Sequence, residues 1–330
     1  MSVAVPTFAD IEAAAARIKP WAIETPLLEN ADLNARMGGR ILLKPEMFQR
    51  TGSFKFRGAC NRIAQIPQSQ RQNGVVAFSS GNHAQGVAAV AALLGISATI
   101  VMPADAPKAK IDGTRSFGAQ IVTYDRATGD REAIAARIVS ESGATLVKPF
   151  DDAAIVAGQG TVGLELARQA AALGAQPDAV LVPCGGGGLV SGIALALSRR
   201  CPDARTVSVE PEGFDGMRRS REAGERAAAP AKPPSIADSL MAPMPGATPF
   251  ALAQAHLRGS ITVNDDNLAR AVSYAFRRLK LVVEPGGAAG LAALLRDTAQ
   301  FRGRTIAVVL SGGNCDPETA ADCCARFPAP

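Results

Sequence analysis

The chain is best understood from one stretch, Thr51-Gly-Ser-Phe-Lys-Phe-Arg-Gly-Ala59, which has Lys55 at its centre. Phe54 and Phe56 flank this lysine in the sequence. An ammonium group among aromatic rings loses hydration, which lowers its pKa and leaves more of the neutral amine. A lysine of this kind can form a Schiff base. The alternative is an ordinary lysine at a helix start whose two phenylalanines belong to the core.

Three further motifs follow in a fixed order: Ser79-Ser-Gly-Asn-His83, Pro183-Cys-Gly-Gly-Gly-Gly188 and Ser311-Gly-Gly-Asn314. Together with Lys55 they resemble the pyridoxal-phosphate enzymes of the tryptophan-synthase-β-like fold, fold type II. Within that group the chain resembles the threonine/serine dehydratase and serine racemase family. The resemblance extends from Thr25 to Asn314, and four ordered motifs are a specific signal where one glycine-rich run would be weak.

Composition limits the classes of function that are compatible with the chain. It has 330 residues, of which 47% are hydrophobic and 20% charged, and these values indicate a globular protein with an ample core. The net charge of +5 comes from scattered basic residues, and only 5% of residues are aromatic. We therefore expect mild attraction for anionic ligands and no nucleic-acid partner.

Targeting and redox signals point to a cytoplasmic protein. We see no charged-then-apolar leader, and no apolar stretch is long enough to span a bilayer, so no membrane partner is expected. The six cysteines show no metal-ligand spacing, and the chain has only two histidines. A reduced, cytoplasmic state is the simplest interpretation.

Short apolar runs alternate with helical patterns, which predicts an α/β fold with parallel-rich sheets and helices on both faces. The predicted strands are 75–78, 98–102, 120–124, 179–182, 206–209 and 306–310, with short extended pieces at 25–27 and 41–44. The predicted helices are 8–18, 82–94, 108–117, 130–140, 160–173 and 189–197, and the stretch 224–234 is read as a loop.

The resemblance implies two lobes with the cofactor between them. Residues 51–149 would form a small lobe that closes over the substrate, and residues 1–50 and 150–330 a discontinuous, larger cofactor-binding lobe. No C-terminal regulatory domain is expected, and the protein is expected to be a homodimer.

Four consecutive glycines, Gly185, Gly186, Gly187 and Gly188, follow a predicted strand and precede a predicted helix. Without side chains, their backbone N–H groups can converge on an anion, and the helix N-terminus adds positive potential. A phosphate is the natural ligand. A tight turn is the alternative, and a Rossmann site is disfavoured because the glycines are not spaced as G-x-G-x-x-G.

The resemblance assigns roles to the Ser79–His83 motif. Asn82 would bind the phenolic oxygen of the cofactor, and Ser80, Gly81, Asn82 and His83 would hold the substrate. Ser80 also occupies the position of an acid/base on the face of the substrate Cα opposite to Lys55. A structural hydrogen bond at a helix start is the alternative role for His83.

Three further residues are assigned to the cofactor by resemblance. Ser311 would face the pyridine nitrogen, where a neutral hydroxyl makes the ring a weaker electron sink than a carboxylate would. Phe54 would lie against one face of the ring. Glu284 would approach the edge of the cofactor. The alternative is that its carboxylate caps a helix.

The stretch Glu210-Pro-Glu-Gly-Phe-Asp-Gly216 resembles the divalent-cation site of the same group. Glu210 and the Phe214 carbonyl fit that pattern, and oxygen ligands suit Mg²⁺ or Ca²⁺. The third ligand position holds Gly216, and Asp215 comes one residue early. A solvated acidic loop is the alternative.

The resemblance predicts a pyridoxal-phosphate-dependent ammonia-lyase that converts L-threonine or L-serine to a 2-oxo acid and ammonia. Lys55 would carry the cofactor and remove the Cα proton. Serine racemase and 3-hydroxyaspartate dehydratase are rivals on the same scaffold. A non-catalytic pyridoxal-phosphate-binding protein is disfavoured by the intact Lys55, Asn82 and Ser311. A β-replacement enzyme is disfavoured because Lys55 lacks the Asp-Arg pair that typically follows there.

Overall fold

The computed structural model of the chain describes residues 3–106, 108–230 and 234–329. Its β-strands are β1 (Leu28–Glu29), β2 (Arg40–Pro45), β3 (Val75–Phe78), β4 (Ala98–Pro103), β5 (Gln120–Tyr124), β6 (Thr145–Leu146), β7 (Ala179–Pro183), β8 (Arg205–Pro211), β9 (Gly259–Val263) and β10 (Thr305–Leu310). The α-helices in its first half are α1 (Phe8–Ile18), α2 (Ala31–Met37), α3 (Lys55–Ala64), α4 (Asn82–Leu93), α5 (Lys108–Arg115), α6 (Arg131–Ser142) and α7 (Ala153–Ala172). Those in its second half are α8 (Gly188–Arg200), α9 (Gly216–Ala223), α10 (Ala247–His256), α11 (Asp265–Tyr274), α12 (Ala289–Arg296), α13 (Thr298–Phe301) and α14 (Pro317–Arg326).

The strands form two sheets, as the alternating pattern predicts for this α/β fold. The larger sheet has the order β1-β2-β10-β7-β8-β9, and all its pairs are parallel except β1 with β2. The smaller sheet has the order β5-β4-β3-β6 and is entirely parallel. Parallel sheets need crossover connections, which the intervening helices supply.

The two sheets draw on different parts of the chain. The smaller sheet uses strands within residues 75–146, and the larger uses strands within 28–45 and 179–310. This arrangement is compatible with the discontinuous lobe expected from the sequence, and the exact lobe boundaries stay a prediction. In the part of the chain that the structure describes, no helix is both long and apolar enough to cross a membrane.

Most predicted elements are found within a few residues of their expected bounds, but α7 begins seven residues before the predicted start at 160. Asp152 caps this helix, since its side chain accepts hydrogen bonds from the N–H groups of Ala154 and Ile155 at 2.8 and 3.0 Å. Glycines inside α7 weaken its helical signal in the sequence. The extended piece expected at 25–27 is also displaced, because β1 begins at Leu28.

The glycines of α7 allow it to pack closely on its neighbours. A Cβ at Gly158 would lie 2.7 Å from the Cα of Gly58 on α3, and one at Gly160 would lie 2.9 Å from the Gly192 carbonyl on α8. Such distances are too short for a side chain, so glycine is required at both contacts. The close contact with α7 fixes the position of α3, whose first residue is Lys55.

A buried ionic cluster also holds α3, and it includes Glu165 of α7. Arg57 is fully buried and donates to Glu46 at 2.7 and 2.8 Å and to Glu165 at 2.6 and 2.8 Å. Lys44 Nζ donates to Glu165 Oε2 at 2.7 Å. Burial opposes ionisation of Glu46, but the attraction of Arg57 outweighs it and the pKa of the carboxyl is lowered. The cluster pairs two positive with two negative side chains, as buried charges require.

Candidate active site

The four motifs meet at one cavity, which lies at the carboxyl ends of parallel strands. Ser79 follows β3, Cys184 follows β7 and Ser311 follows β10, so each of these three motifs lies where a strand ends. Ligands of open α/β sheets bind at this edge. The cavity is lined by residues of all four motifs, namely Phe54, Lys55, Ser79, Ser80, Gly81, Asn82, His83, Gly185, Gly186, Gly187, Gly188, Ser311 and Asn314.

Lys55 is the first residue of α3 and faces the cavity. Its Nζ donates to the Pro149 carbonyl at 2.8 Å and lies 5.2 Å from the centroid of the Phe54 ring. Burial lowers the pKa of Lys55 to about 8, against the attraction of Glu284. Phe56 is completely buried in the core, so only one of the two flanking rings contributes to the site.

The lysine segment is held against the Ser311–Asn314 motif by backbone hydrogen bonds. The Phe54 N–H donates to the Ser311 carbonyl at 3.1 Å, and the Gly313 N–H donates to the Gly52 carbonyl at 2.9 Å. Thr51, with φ of 62°, adopts the left-handed region that non-glycine residues rarely occupy. Strained backbone of this kind persists when the surrounding structure fixes it, and it occurs often at functional sites.

Asn82, the first residue of α4, connects two other parts of the site through its amide. Its Nδ2 donates to Glu284 Oε1 at 2.6 Å, and its Oδ1 accepts from Asn314 Nδ2 at 2.7 Å. Burial, followed by repulsion from Asp238, raises the pKa of Glu284 to about 7 against the hydrogen bond from Asn82. The structure thus joins the Ser79–His83 motif, the Ser311–Asn314 motif and Glu284.

The glycine loop offers unpaired donors to the cavity. Among the described residues, the backbone N–H groups of Gly185, Gly186 and Gly187 donate to no acceptor, and α8 begins at Gly188. A Cβ at Gly186 would lie 2.3 Å from the Phe150 ring, and Gly187 has φ of 92°. Free N–H groups at a helix N-terminus form a positive cradle, and the residues present therefore fit the phosphate of pyridoxal phosphate.

The remaining predicted residues occupy different environments around the cavity. Ser80 and Gly81 are half-buried, and the buried Ser311 also lines the cavity.

His83 makes a hydrogen bond of the structural kind that the sequence analysis gave as the alternative to substrate binding. Its Nε2 lies 2.8 Å from the Val147 carbonyl. Burial, with repulsion from Lys55, lowers the pKa of His83 to about 3, so the ring is neutral. The ring therefore donates from Nε2, and its Nδ1 has no partner among the described residues.

The stretch that resembles a cation site has a different arrangement here. Both carboxylate oxygens of Glu210 accept backbone N–H groups at the start of α9, from Met217 at 2.7 Å and Arg218 at 2.9 Å. Burial raises the pKa of Glu210 to about 8 against these two bonds. The carboxylate of Asp215 pairs with Arg218 and Arg219. Within residues 3–106, 108–230 and 234–329, no three carboxylate, histidine or cysteine side chains are grouped as metal ligands.

The structure adds cavity residues that the sequence analysis did not identify. They are charged or polar and include Gln85, Lys110, Arg131, Asp238 and Ser239. Lys110 forms an ion pair with Asp238. The guanidinium of Arg131 lies 5.5 Å from the centroid of the Phe78 ring and has no carboxylate partner in the described part of the chain. The sequence did contain one signal for two of these residues. Lys110 and Arg131 lie on the helices that follow β4 and β5, and the start of such helices is next to the edge of the sheet where ligands bind.

Comparisons with known proteins agree with this geometry. Residues 18–312 match a family model described as pyridoxal-phosphate dependent enzyme. The chain is 42% identical to an L-threo-3-hydroxyaspartate ammonia-lyase of Pseudomonas sp over 96% of this chain and 97% of the relative. It is 38% identical to a serine racemase of Schizosaccharomyces pombe over 97% and 98% of the two chains. The crystal structure of a threonine deaminase from T.th. superposes with a TM-score of 0.89 at 43% identity, covering 94% of this chain and 99% of that one.

Proposed function

The chain belongs to the family of pyridoxal-phosphate-dependent enzymes and is a lyase, and we propose that it is an ammonia-lyase for a β-hydroxy amino acid with a second carboxylate. The simplest such substrate is 3-hydroxyaspartate. The products would be ammonia and a dicarboxylic 2-oxo acid: the β-hydroxyl would leave as water, and hydrolysis of the resulting imine would consume one water and release ammonia. The Pseudomonas relative, whose name states this activity, supports the choice of substrate.

The observation that carries this proposal is the pair of cationic side chains in the cavity wall, Lys110 and Arg131. The α-carboxylate of any amino acid is assigned to the Ser79–His83 motif, so Arg131 is available for another anionic group, and Lys110 can join it if that group competes with Asp238. An arginine guanidinium is well suited to a carboxylate, since it can donate two parallel hydrogen bonds. Arg131 is exposed at the cavity wall, so a substrate with a methyl group would leave its guanidinium hydrated and would not gain the ion pair that a carboxylate forms with it.

The chain's own groups would hold the cofactor through three contacts. The N–H groups of the glycine loop would bind the phosphate, the Asn82 amide would donate to the phenolic oxygen, and the Ser311 hydroxyl would face the pyridine nitrogen. Pyridoxal phosphate supplies an electron sink for the negative charge that develops at Cα when its proton leaves. The Phe54 ring, which lies beside the lysine amine, would restrict the position of the bound ring.

Lys55 moves the proton. With a pKa of about 8, a useful fraction of its Nζ is neutral near pH 7 and accepts the Cα proton. The Pro149 carbonyl, 2.8 Å away, orients the amine toward the cavity. The same Nζ can return a proton to the departing β-hydroxyl, which makes water the leaving group.

The test is a substrate panel on purified protein and two variants. Release of 2-oxo acid should have its highest kcat/KM with L-threo-3-hydroxyaspartate. We expect lower values of kcat/KM for L-threonine and L-serine. Arg131→Gln should lower kcat/KM for the dicarboxylate by about tenfold to a hundredfold and change it little for threonine. Arg137→Gln is the matched control, because Arg137 is an exposed residue of the same helix that does not line the cavity. A higher kcat/KM for L-threonine in the wild type, or equal losses for both substrates, would reject the proposed substrate.

A second candidate is the substrate pair predicted from the sequence, L-threonine and L-serine, which the likeness to the T.th. threonine deaminase supports. Racemisation of serine is a related possibility, since the S. pombe relative is named a serine racemase and Ser80 lines the cavity. The homodimer, the cytoplasmic location and the Mg²⁺ or Ca²⁺ site stay predictions from the sequence.

A further inference from the structure

The side chain of Asn314 connects segments that are far apart in the sequence. Its Nδ2 donates one hydrogen bond to the Thr51 carbonyl at 2.8 Å and another to Asn82 Oδ1 at 2.7 Å. An amide nitrogen has two hydrogens. Both hydrogens of Asn314 Nδ2 are therefore used, one on the backbone of the lysine segment and one on the side chain of Asn82.

The Thr51 carbonyl is a rigid acceptor that fixes the orientation of the Asn314 amide. Thr51 and Gly52 have φ of 62° and 71°, and the turn is closed by the Gly52 N–H donating to the Gln49 carbonyl at 3.0 Å. The Gly52 carbonyl in turn accepts the Gly313 N–H. A carbonyl can only accept, so a flipped Asn314 amide would place its oxygen against the Thr51 oxygen. The turn thus permits one orientation of Asn314.

That orientation determines the orientation of Asn82. Because Asn314 presents a donor, Asn82 must present its oxygen to it, and Nδ2 of Asn82 points to the other side. One hydrogen of this Nδ2 is donated to Glu284 Oε1 at 2.6 Å, and the second remains available. A flipped Asn82 would instead present Oδ1, an acceptor, on that side.

We propose that Asn314 is a positioning residue that fixes the amide of Asn82 so that a donor is available to the phenolic oxygen of the cofactor. The inference rests on the proposed function, in which Asn82 contacts that oxygen. An anionic oxygen is stabilised by an N–H donor and repelled by an amide oxygen. The orientation of the Asn82 amide therefore decides whether its contact with the cofactor is attractive or repulsive. Asn314 itself acts only through Asn82.

The first test is Asn314→Asp, which preserves the shape of the side chain and removes both donors. Asn82 is then expected to turn its Nδ2 toward the new carboxylate and its oxygen toward the cofactor, losing its hydrogen bond to Glu284. Spectral titration of the apoprotein with pyridoxal phosphate should show about tenfold to a hundredfold weaker binding and a shifted absorbance maximum. Asn61→Asp is the matched control: Asn61 is a buried asparagine of α3 that donates to the Ala154 carbonyl at 2.7 Å and does not line the cavity. It should retain the wild-type absorbance maximum and cofactor affinity.

A double-mutant cycle separates orientation from other effects of the substitution. In an Asn82→Ala background no amide remains to be oriented, so Asn314→Asp should have little further effect on cofactor affinity. Additive effects of the two substitutions would overturn the inference, because they would mean that the new carboxylate acts directly. If Asn314→Asp does not fold, as judged by the melting temperature of the apoprotein, Asn314→Ala replaces it in the cycle with the same criterion.

The cycle also distinguishes this inference from the proposed function. If Asn82→Ala alone leaves the absorbance maximum and the cofactor affinity unchanged, Asn82 does not contact the cofactor, and both the assignment of Asn82 and the inference fail. If Asn82→Ala weakens binding but Asn314→Asp does not, only the inference fails.

Discussion

Lys110 of α5 forms an ion pair with Asp238, although the two residues are 128 positions apart in the chain and belong to segments next to different sheets. Both line the cavity. Burial opposes the charge of Lys110, but the attraction of Asp238 outweighs it and the pKa of the amine is raised. In the free protein, therefore, Lys110 is charged and already paired, whereas Arg131 has no carboxylate partner among the described residues.

The first prediction concerns this pair and the choice of substrate. Asp238→Asn releases Lys110 from its carboxylate, so a substrate with a second carboxylate no longer competes with Asp238. We expect KM for 3-hydroxyaspartate to fall by about threefold to tenfold and KM for L-threonine to change little. Lys110→Met should raise KM for the dicarboxylate instead. Steady-state kinetics on both substrates is the measurement, and a fall of KM for both alike would contradict a competition for Lys110.

The second prediction separates lyase from racemase activity. On the proposed assignment Lys55 acts on one face of the substrate Cα and Ser80 on the other. Ser80→Ala should abolish racemisation of serine and action on D-serine, and it should leave measurable elimination from the L-substrate. Loss of a positioned acid/base costs about 10²–10⁴-fold in rate. Chiral amino-acid analysis and 2-oxo acid release should be recorded together, and equal losses of kcat in both reactions would show that Ser80 does not act on the far face alone.

The third prediction concerns the stability that the buried cluster gives to α3. Arg57→Met leaves the fully buried Glu46 without its main partner, and an unpaired buried charge typically costs about 3–5 kcal/mol. Denaturant unfolding of the apoprotein should show a loss of this size. Arg126→Met is the control, since the Arg126–Asp105 pair is 58% and 63% exposed and should contribute at most about 1 kcal/mol. Similar losses for the two variants would mean that the Arg57 cluster is not stabilising.

The fourth prediction is a pH dependence. A lysine with a pKa lowered to about 8 is mostly neutral above that pH and mostly charged below it. The rate at which the apoprotein regains its visible absorbance on mixing with pyridoxal phosphate should therefore rise with pH, with a midpoint near 8 and not near 10.5. Glu284→Gln removes a charge that raises the pKa of Lys55, so the midpoint should move to lower pH. An unchanged midpoint in this variant would show that Glu284 does not influence the lysine.

The sequence predicted the α/β fold because strand residues are apolar in short runs and the intervening helices are long enough to be periodic. The resemblance to a known family implied one site for the motifs around Lys55, Asn82, Ser311 and the glycine loop, and residues of all four motifs line one cavity. The local pattern around Lys55 treats Phe54 and Phe56 alike, and only the resemblance assigned Phe54 to the cofactor ring. In the structure Phe54 lines the cavity and Phe56 lies in the core.

Other features depend on packing between distant segments, and no local pattern encodes them. Asp238 belongs to a short 3₁₀ turn after an Ala- and Pro-rich stretch of which residues 231–233 lie outside the described part of the chain. Its pairing with Lys110 is set by tertiary structure. The same holds for Glu210, whose carboxylate binds the N-terminus of α9, a contact that becomes visible only when β8 and α9 are placed together.

The central claim is that Lys55 carries pyridoxal phosphate, and the most direct measurement is reduction of the holoprotein with sodium borohydride followed by peptide mass mapping. We expect the cofactor mass on the peptide that contains Lys55 and loss of the visible absorbance on reduction. Lys44, which is buried in the ionic cluster, serves as the internal control and should remain unmodified. A protein that stays colourless after incubation with pyridoxal phosphate, or a cofactor found on a lysine other than Lys55, would contradict the account.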